Sequence, residues 1–208
     1  MIKAEVNVVG TIKRSASIRT DKNNNPYLSF VMTVVLTDAK TTNHSIDVFV
    51  SIPNARQDEA HSYVEGVRVA VNGNLDIRKK ESSLNFYLTG NTVTTQNVAE
   101  MDSVSGSLSF RGYLKKENIY QQKTDKNGHP FIVFSAYSLE KNGQEYLSTW
   151  VNFMRFPEKG ADVGSIIPEW MHSKAHVDIT GELQVSSYDG VVRLSCRVKD
   201  ITEHINVQ

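Results

Sequence analysis

The sequence predicts an all-β protein built from two successive small barrels, and three observations carry that prediction. Apolar and polar residues alternate with period two along several segments, as half-buried strands do. Clusters of Asp, Asn, Gly and Pro, which favour tight turns, separate those segments. The second half of the 208 residues also echoes the first. Residues 10–14 (GTIKR) are matched by 112–116 (GYLKK), and 20–27 (TDKNNNPY) by 124–131 (TDKNGHPF). Phe30 is matched by Phe134, Ile52-Pro53 by Phe156-Pro157, and 69–75 (VAVNGNL) by 177–183 (VDITGEL). The offset drifts from 102 to 104, 108 and then 106, with the changes placed in loops. Two copies of this length suit a tandem pair of domains of about 100 residues each, not a solenoid. The expected boundaries are 1–102 and 103–208.

Each copy reads as strand, strand, strand, helix, strand, strand. Val6, Val8 and Ile12, and in the second copy Leu108, Phe110 and Leu114, point inward from the first strand. The Asp-Lys-Asn turns follow, where Pro26 and Pro130 end the pairing, and the second strands run over 27–36 and 131–139. Leu28 and Phe30, and Ile132 and Phe134, face the core, leaving Tyr27 and Phe131 outside. Third strands cover 46–52 and 149–156 and stop at Pro53 and Pro157, since proline cannot donate to a sheet. Trp150, Asn152, Met154 and Phe156 share one face; Val151, Phe153 and Arg155 share the other. A helix over 54–66 would cap at Asn54 and end at Gly66; the second copy has a looser segment over 158–174. Fourth strands span 67–77 and 175–185, and fifth strands 84–88 and 191–196. In the fifth, Phe86 and Leu88 match Val192 and Leu194, while Tyr87 and Arg193 face out. One short helix between strands three and four of a five-stranded barrel is the plan of the OB-fold; a sandwich would show about seven strands and no helix.

Composition narrows function. Apolar residues are 39% of the chain, and no apolar run of about 18 residues exists to span a bilayer. The N-terminal stretch lacks the apolar core of a signal peptide. A single cysteine, Cys196, excludes an internal disulfide and points to a reducing cytoplasm. Cys196 aligns with Gly90, as a small buried residue would. Net charge is zero, with eleven acids and eleven bases in residues 1–102 and twelve of each in 103–208. Locally the balance tips. Lys13, Arg14, Arg19 and Lys22 face Asp21 alone, and Arg111, Lys115, Lys116, Lys123 and Lys126 face Glu117 and Asp125. Both excesses fall in the same part of the repeat. Such a stripe attracts an anion over a Debye length of roughly 10 Å.

Outward aromatics beside cations suit unpaired bases, because a ring stacks on any base while Lys and Arg follow phosphates. The rings singled out are Trp150, Phe131, Tyr188 and Tyr113. At these residues the chain resembles the bacterial single-stranded DNA-binding protein family. Residues 8–12 (VVGTI) are similar to the family's opening strand, and 134–137 (FSAY) to the Phe-Ser-x-Ala of its second. Trp150 with Phe156 is similar to the third-strand Trp and Phe. Residues 181–188 (GELQVSSY) are similar to the strand leading to a loop aromatic. The resemblance implies that Trp150, Phe156 and Tyr188 stack on bases. The first copy carries Ile46, Ile52 and Lys80 there, so Tyr27, Phe49 and Tyr87 substitute, or binding runs through Arg78, Lys79 and Lys80. The family's acidic C-terminal tail has no counterpart in 202–208. Two fused barrels resemble versions carried by phages or mobile elements.

The expected contact set is therefore Trp150, Phe156, Tyr188, Phe131 and Tyr113, with Arg111, Lys115, Lys116, Lys123, Arg155 and Arg193. In the first half it is Tyr27 and Tyr87, with Lys13, Arg14, Arg19, Arg78, Lys79 and Lys80. The expected partner is single-stranded DNA, with RNA open because stacking ignores the 2′-hydroxyl, and with replication or recombination proteins as further partners. Self-association is open too, since barrel edges pair either between subunits or within the chain. The rival readings are a protein-binding adaptor, whose rings would bury against a partner, and a nuclease. No catalytic constellation supports the latter. The six histidines are scattered, His172 and His176 are split by the strand that begins near Ala175, and no Walker or dinucleotide loop occurs. No metal or cofactor is expected.

Overall fold

Alternating side chains bury one face of each strand, and the burial follows the alternation closely. In the computed structural model, which describes residues 1–36, 43–54 and 56–205, β1 (Ile2–Thr20) reads buried-exposed over its first half. It is followed by β2 (Pro26–Leu36), β3 (His44–Pro53), β4 (Arg68–Lys80) and β5 (Ser83–Thr94). Then come β6 (Ser103–Leu114), β7 (Tyr120–Thr124), β8 (Pro130–Asn142), β9 (Glu145–Arg155), β10 (His176–Tyr188) and β11 (Val191–Glu203). Strands β2, β3, β5, β4 and β1 pair in that order, and β1 returns to β2, closing a five-stranded ring. Strands β6, β10, β11, β9 and β8 pair in the same sense, β8 returns to β6, and β7 adds to the outer edge of β8. Among the described residues, no helix is long and apolar enough to cross a membrane.

The chain divides into two compact units. One comprises Lys3–Gly106 with Val185–Val192; the other comprises Met1–Ile2, Ser107–Gln184 and Arg193–Gln208. The first has Val6, Val8, Ile12, Leu28, Phe30, Val48, Val50, Phe86 and Leu88 at its core. The second has Leu108, Phe110, Leu114, Ile132, Phe134, Val151 and Phe153. Phe153 packs edge-on to Phe110 and stacks on Phe134, both at 5.1 Å between centroids. Burial of each such ring stabilises by about 1.5–3 kcal/mol. This packing turns the Val151–Phe153 face of β9 inward and the Trp150 face outward.

The echoed turns have one physical cause. Asp21 Oδ1 accepts from the amides of Asn23 (2.8 Å) and Asn25 (2.9 Å), and Asp125 Oδ1 from Asn127 (2.8 Å) and His129 (2.9 Å). Asn24 and Gly128 take the left-handed conformation at the same step (φ 63° and 82°), which Asn and Gly tolerate best. The echoed glycines have another. A Cβ on Gly10 would overlap the Thr33 carbonyl oxygen, and one on Gly112 the Tyr137 carbonyl oxygen. These residues let the first strand of each half cross close to the second.

Three expectations change. Where the sequence predicts a helix over 54–66, the structure has a single 3₁₀ turn, Gln57–Ser62. Asn54 is left-handed (φ 56°) and Arg56 extended (φ −86°, ψ 150°), so a helix cannot begin there; Ala55 lies outside the described residues. In the second half only Val163–Ile166 turns, with the Asp162 carboxylate accepting from Gly164 N at 2.7 Å. The last three residues of the second expected barrel, 206–208, also lie outside the described set. Strand β7 is a separate piece: Asn118 (φ 47°) lies between β6 and β7, where β1 runs on through two register shifts.

The third expectation concerns register. Phe30 and Phe134, 104 apart, face Val50 and Phe153, which are 103 apart. Trp150 therefore corresponds to Asp47, not Ile46, and Phe156 to Pro53, not Ile52. In turn Val50 and Phe153 run beside Leu88 and Cys196, which are 108 apart. Cys196 thus occupies the place of Leu88 rather than Gly90, and Arg193 that of Asn85 rather than Tyr87. The turns agree, since Glu81 and Asp189, also 108 apart, are both left-handed.

Candidate nucleic-acid interface

The outer face of β8 and β9 sets ring against ring in register. Tyr137 lies opposite Trp150, Ser135 opposite Asn152, and Val133 opposite Met154. Trp150 is 49% exposed and meets the Tyr137 ring at 4.9 Å. Tyr137 meets Tyr113 of β6 at 5.9 Å, and Tyr113 stacks on His176 of β10 at 4.4 Å and 13°. His176 meets His204 edge-on at 4.3 Å. Five rings thus run across four strands and the segment after β11, each resting on the next. At the other end of the same face Phe131 stacks on Phe156 at 4.7 Å and 14°, and the Arg197 guanidinium lies 4.9 Å from the Phe156 centroid. Trp150 and Phe156 are six residues apart, roughly 20 Å at the rise of a strand.

Between the two ring clusters is a shallow groove of about 350 Å³ whose lining includes Lys115, Lys123, Gln121, Ser135, Asn152 and Met154. Ser135 Oγ donates to Asn152 Oδ1 at 2.8 Å. Lys123 of β7 lies opposite Phe131 of β8. Aromatics at both ends, cations along one side and hydrogen-bonding groups in the middle can hold a planar, negatively charged polymer.

The expected cations divide by their partners. Arg111 Nε donates to Asp178 at 2.6 Å, and that bond raises the Arg111 pKa. Burial acts to push the Asp178 carboxyl up, but hydrogen bonds from Arg111 and His204 outweigh it and hold the pKa low. Burial lowers the His176 pKa, with His204 and Arg111 adding repulsion against the attraction of Asp178. Arg155, expected at the interface, lies on the Val151–Phe153 side. Its Nη1 donates to the Ile166 carbonyl at 2.7 Å, and burial lowers its pKa; it ties β9 to the 3₁₀ turn. Lys115, Lys116 and Lys123 have no ion pair among the described residues.

In the other unit, Phe49 (37% exposed) stacks on Tyr87 (40% exposed) at 5.5 Å and 25°. Arg78 lies over Tyr87 at 5.7 Å and pairs with Asp76. Lys13 pairs with Asp47 at 2.7 Å. Arg19 faces Tyr27 across the hairpin, with Arg14 exposed further along β1. Lys79 and Lys80 close β4. Tyr188, 39% exposed, lies in the hairpin tip that belongs to this unit, with Arg193 just past its end.

Solved structures of single-stranded DNA-binding proteins align with the chain. The wild-type protein of that name from Thermus aquaticus aligns over 99% of this chain and 94% of its own, at 11% identity and a TM-score of 0.45. A mitochondrial one from S. cerevisiae covers 49% of this chain and 96% of its own, at 22% identity and a TM-score of 0.37. A Plasmodium falciparum one, solved with single-stranded DNA, covers 43% and 90%, at 16% identity and a TM-score of 0.32. No family model and no curated protein matches the chain.

Sequence reasoning missed Tyr137, His176 and Arg197. Tyr137 was legible by parity, six residues beyond Phe131 on the same strand. His176 and Arg197 carried no local signal, because only strand pairing brings them beside Tyr113 and Phe156. Cys196 is fully buried, and burial, with Glu182, pushes its thiol up to about 12, too high for a nucleophile at neutral pH. Among the described residues no group of His, Cys, Asp and Glu is placed to hold a metal.

Proposed function

We propose that this chain binds single-stranded DNA with little sequence preference, through base stacking and phosphate contacts, without catalysing a reaction. The carrying observation is the outer face of β8 and β9, where Trp150 and the Phe131–Phe156 pair flank a groove bordered by Lys115 and Lys123. Base stacking contributes about 1–3 kcal/mol per base and ignores base identity. Duplex DNA hides the base faces, so the unpaired strand is the ligand. We read the two halves as OB-type barrels related by duplication, because the Asp turns and the close-approach glycines recur at matching places. The setting is replication, recombination, or phage or mobile-element DNA metabolism. An electrophoretic shift with single-stranded DNA, duplex DNA and RNA of equal length tests this. Retardation of single strands at concentrations that leave duplex unshifted supports it, and the RNA lane decides the sugar preference. Equal retardation of duplex, or none of any, rejects it in favour of a protein partner for the rings.

A further inference from the structure

The unit of Lys3–Gly106 also contains Val185–Val192, the tip of the β10–β11 hairpin. Gly190, Val191 and Val192 of that tip line a groove of about 530 Å³ with Lys13, Asp47, Phe49 and Asn85. We propose that this groove is a second subsite for an unpaired base, walled by Phe49 on one side and by the hairpin tip on the other. The proposal rests on the single-strand reading and extends it to residues outside the Trp150 face.

Several features argue for a base. The groove is within the 300–1,000 Å³ range of small-ligand sites. Phe49 is held in place by its stack on Tyr87 and keeps 37% of its surface exposed. Val191 is 60% exposed and offers an apolar wall. The charges nearby cancel: both Asp47 oxygens accept from Lys13 Nζ, at 3.0 and 2.7 Å, so a phosphate would have to displace Asp47. Asn85 and Ser83 supply the amide and hydroxyl that a base edge can use. The hairpin of the first half ends in Lys80 where that of the second carries Tyr188. The tip thus supplies this unit with the ring its own hairpin lacks.

The test uses the full chain. Oligo-dT with 4-thiothymidine at each position is bound, irradiated and mapped by peptide mass spectrometry. Cross-links to the peptides of Phe49 and of Tyr188–Val191, besides that of Trp150, are expected. Cross-links confined to the Trp150 peptide overturn the groove and leave the single-strand reading standing; no cross-links anywhere overturn both. In equilibrium titrations Phe49→Ala and Val191→Ser should each weaken oligo-dT binding, by about fivefold for the lost stack on Phe49. Their combination should fall no more than about twofold below the weaker single variant, as for groups sharing one ligand. Additive losses, or unchanged affinity in both while Trp150→Ala still weakens binding, reject the shared subsite. Val191 is exposed, so its substitution keeps the test informative if Phe49→Ala fails to fold.

Discussion

Trp150 is exposed because β9 places Phe153, not Trp150, against Phe134. One residue of slip would exchange the faces and bury the indole. Its exposed ring rests on Tyr137, which meets Tyr113, itself stacked on His176. Trp150→Ala should therefore cost about 1–3 kcal/mol of oligo-dT affinity, the scale of one stacked base. In a Trp170→Phe background, quenching of the remaining indole by oligo-dT reports the contact directly; unchanged affinity in a folded alanine variant rejects the role. Tyr137→Ala leaves the indole without its neighbour and should weaken binding less than loss of Trp150 itself. The row's far end is sensitive to acid. His176 is held below its ordinary value of 6.5 by burial, by His204 and by Arg111, with Asp178 opposing. The unfolded chain takes up that proton near 6.5 while the folded chain resists, so His176 lowers stability as pH falls through that window. Asp178 acts at lower pH: its depressed pKa contributes stability above about 3.8 that is lost as pH falls through the folded value. The melting temperature should drop between pH 7.5 and 5.5, and by less in His176→Gln; identical drops would remove His176 as the cause.

At the scale of elements, the glycine of each opening strand has a single task. Gly112 passes so close to β8 that a methyl group would overlap the Tyr137 carbonyl oxygen and come within 2.7 Å of Phe110 Cζ. Gly112→Ala should destabilise by about 1–3 kcal/mol, as overpacking does. Because the clash falls on the Tyr137 backbone, it should also weaken oligo-dT binding in the folded fraction. Thermal melting and titration of the same sample check both, and a neutral substitution would deny the close approach. These glycines, the Asp turns and the inward face of nearly every strand were legible in the sequence, since each depends on neighbours along the chain. The helix over 54–66 was misread because its composition suits a helix while Asn54 takes a left-handed backbone that ends any such start. The alignment of β3 with β9 was misread by one residue, because the Ile-Pro and Phe-Pro pairs look equivalent but differ in cross-strand partner. Pro53 pairs with Tyr27 inside β3, whereas β9 ends at Arg155, before Phe156.

Across the whole molecule, net charge is zero and many cations are already spoken for. Lys13, Arg56, Arg68, Arg78 and Arg111 each pair with an aspartate. The sequence showed basic clusters in both halves but could not show the partners of Lys13 and Arg111, because Asp47 and Asp178 come from other strands; Asp76, two residues before Arg78 on the same face of β4, was legible. This changes what drives binding. Lys115, Lys116 and Lys123 beside the ring row, and Arg14 and Arg19 on the β1–β2 hairpin, have no ion pair among the described residues. With roughly three to five phosphates neutralised, the slope of log affinity against log salt should be about −2 to −3.5, from about −0.7 per phosphate on a single strand. Between 50 and 200 mM salt that is a loss of about 16- to 130-fold, and the affinity left at high salt measures stacking. Lys115→Gln with Lys123→Gln should flatten the slope by about 1.4 while leaving indole quenching at saturation unchanged. Trp150→Ala should do the reverse, lowering affinity at every salt concentration with the slope kept. A slope steeper than about −6, or one that follows the tryptophan and not the lysines, would mean that phosphates and rings have been assigned the wrong shares.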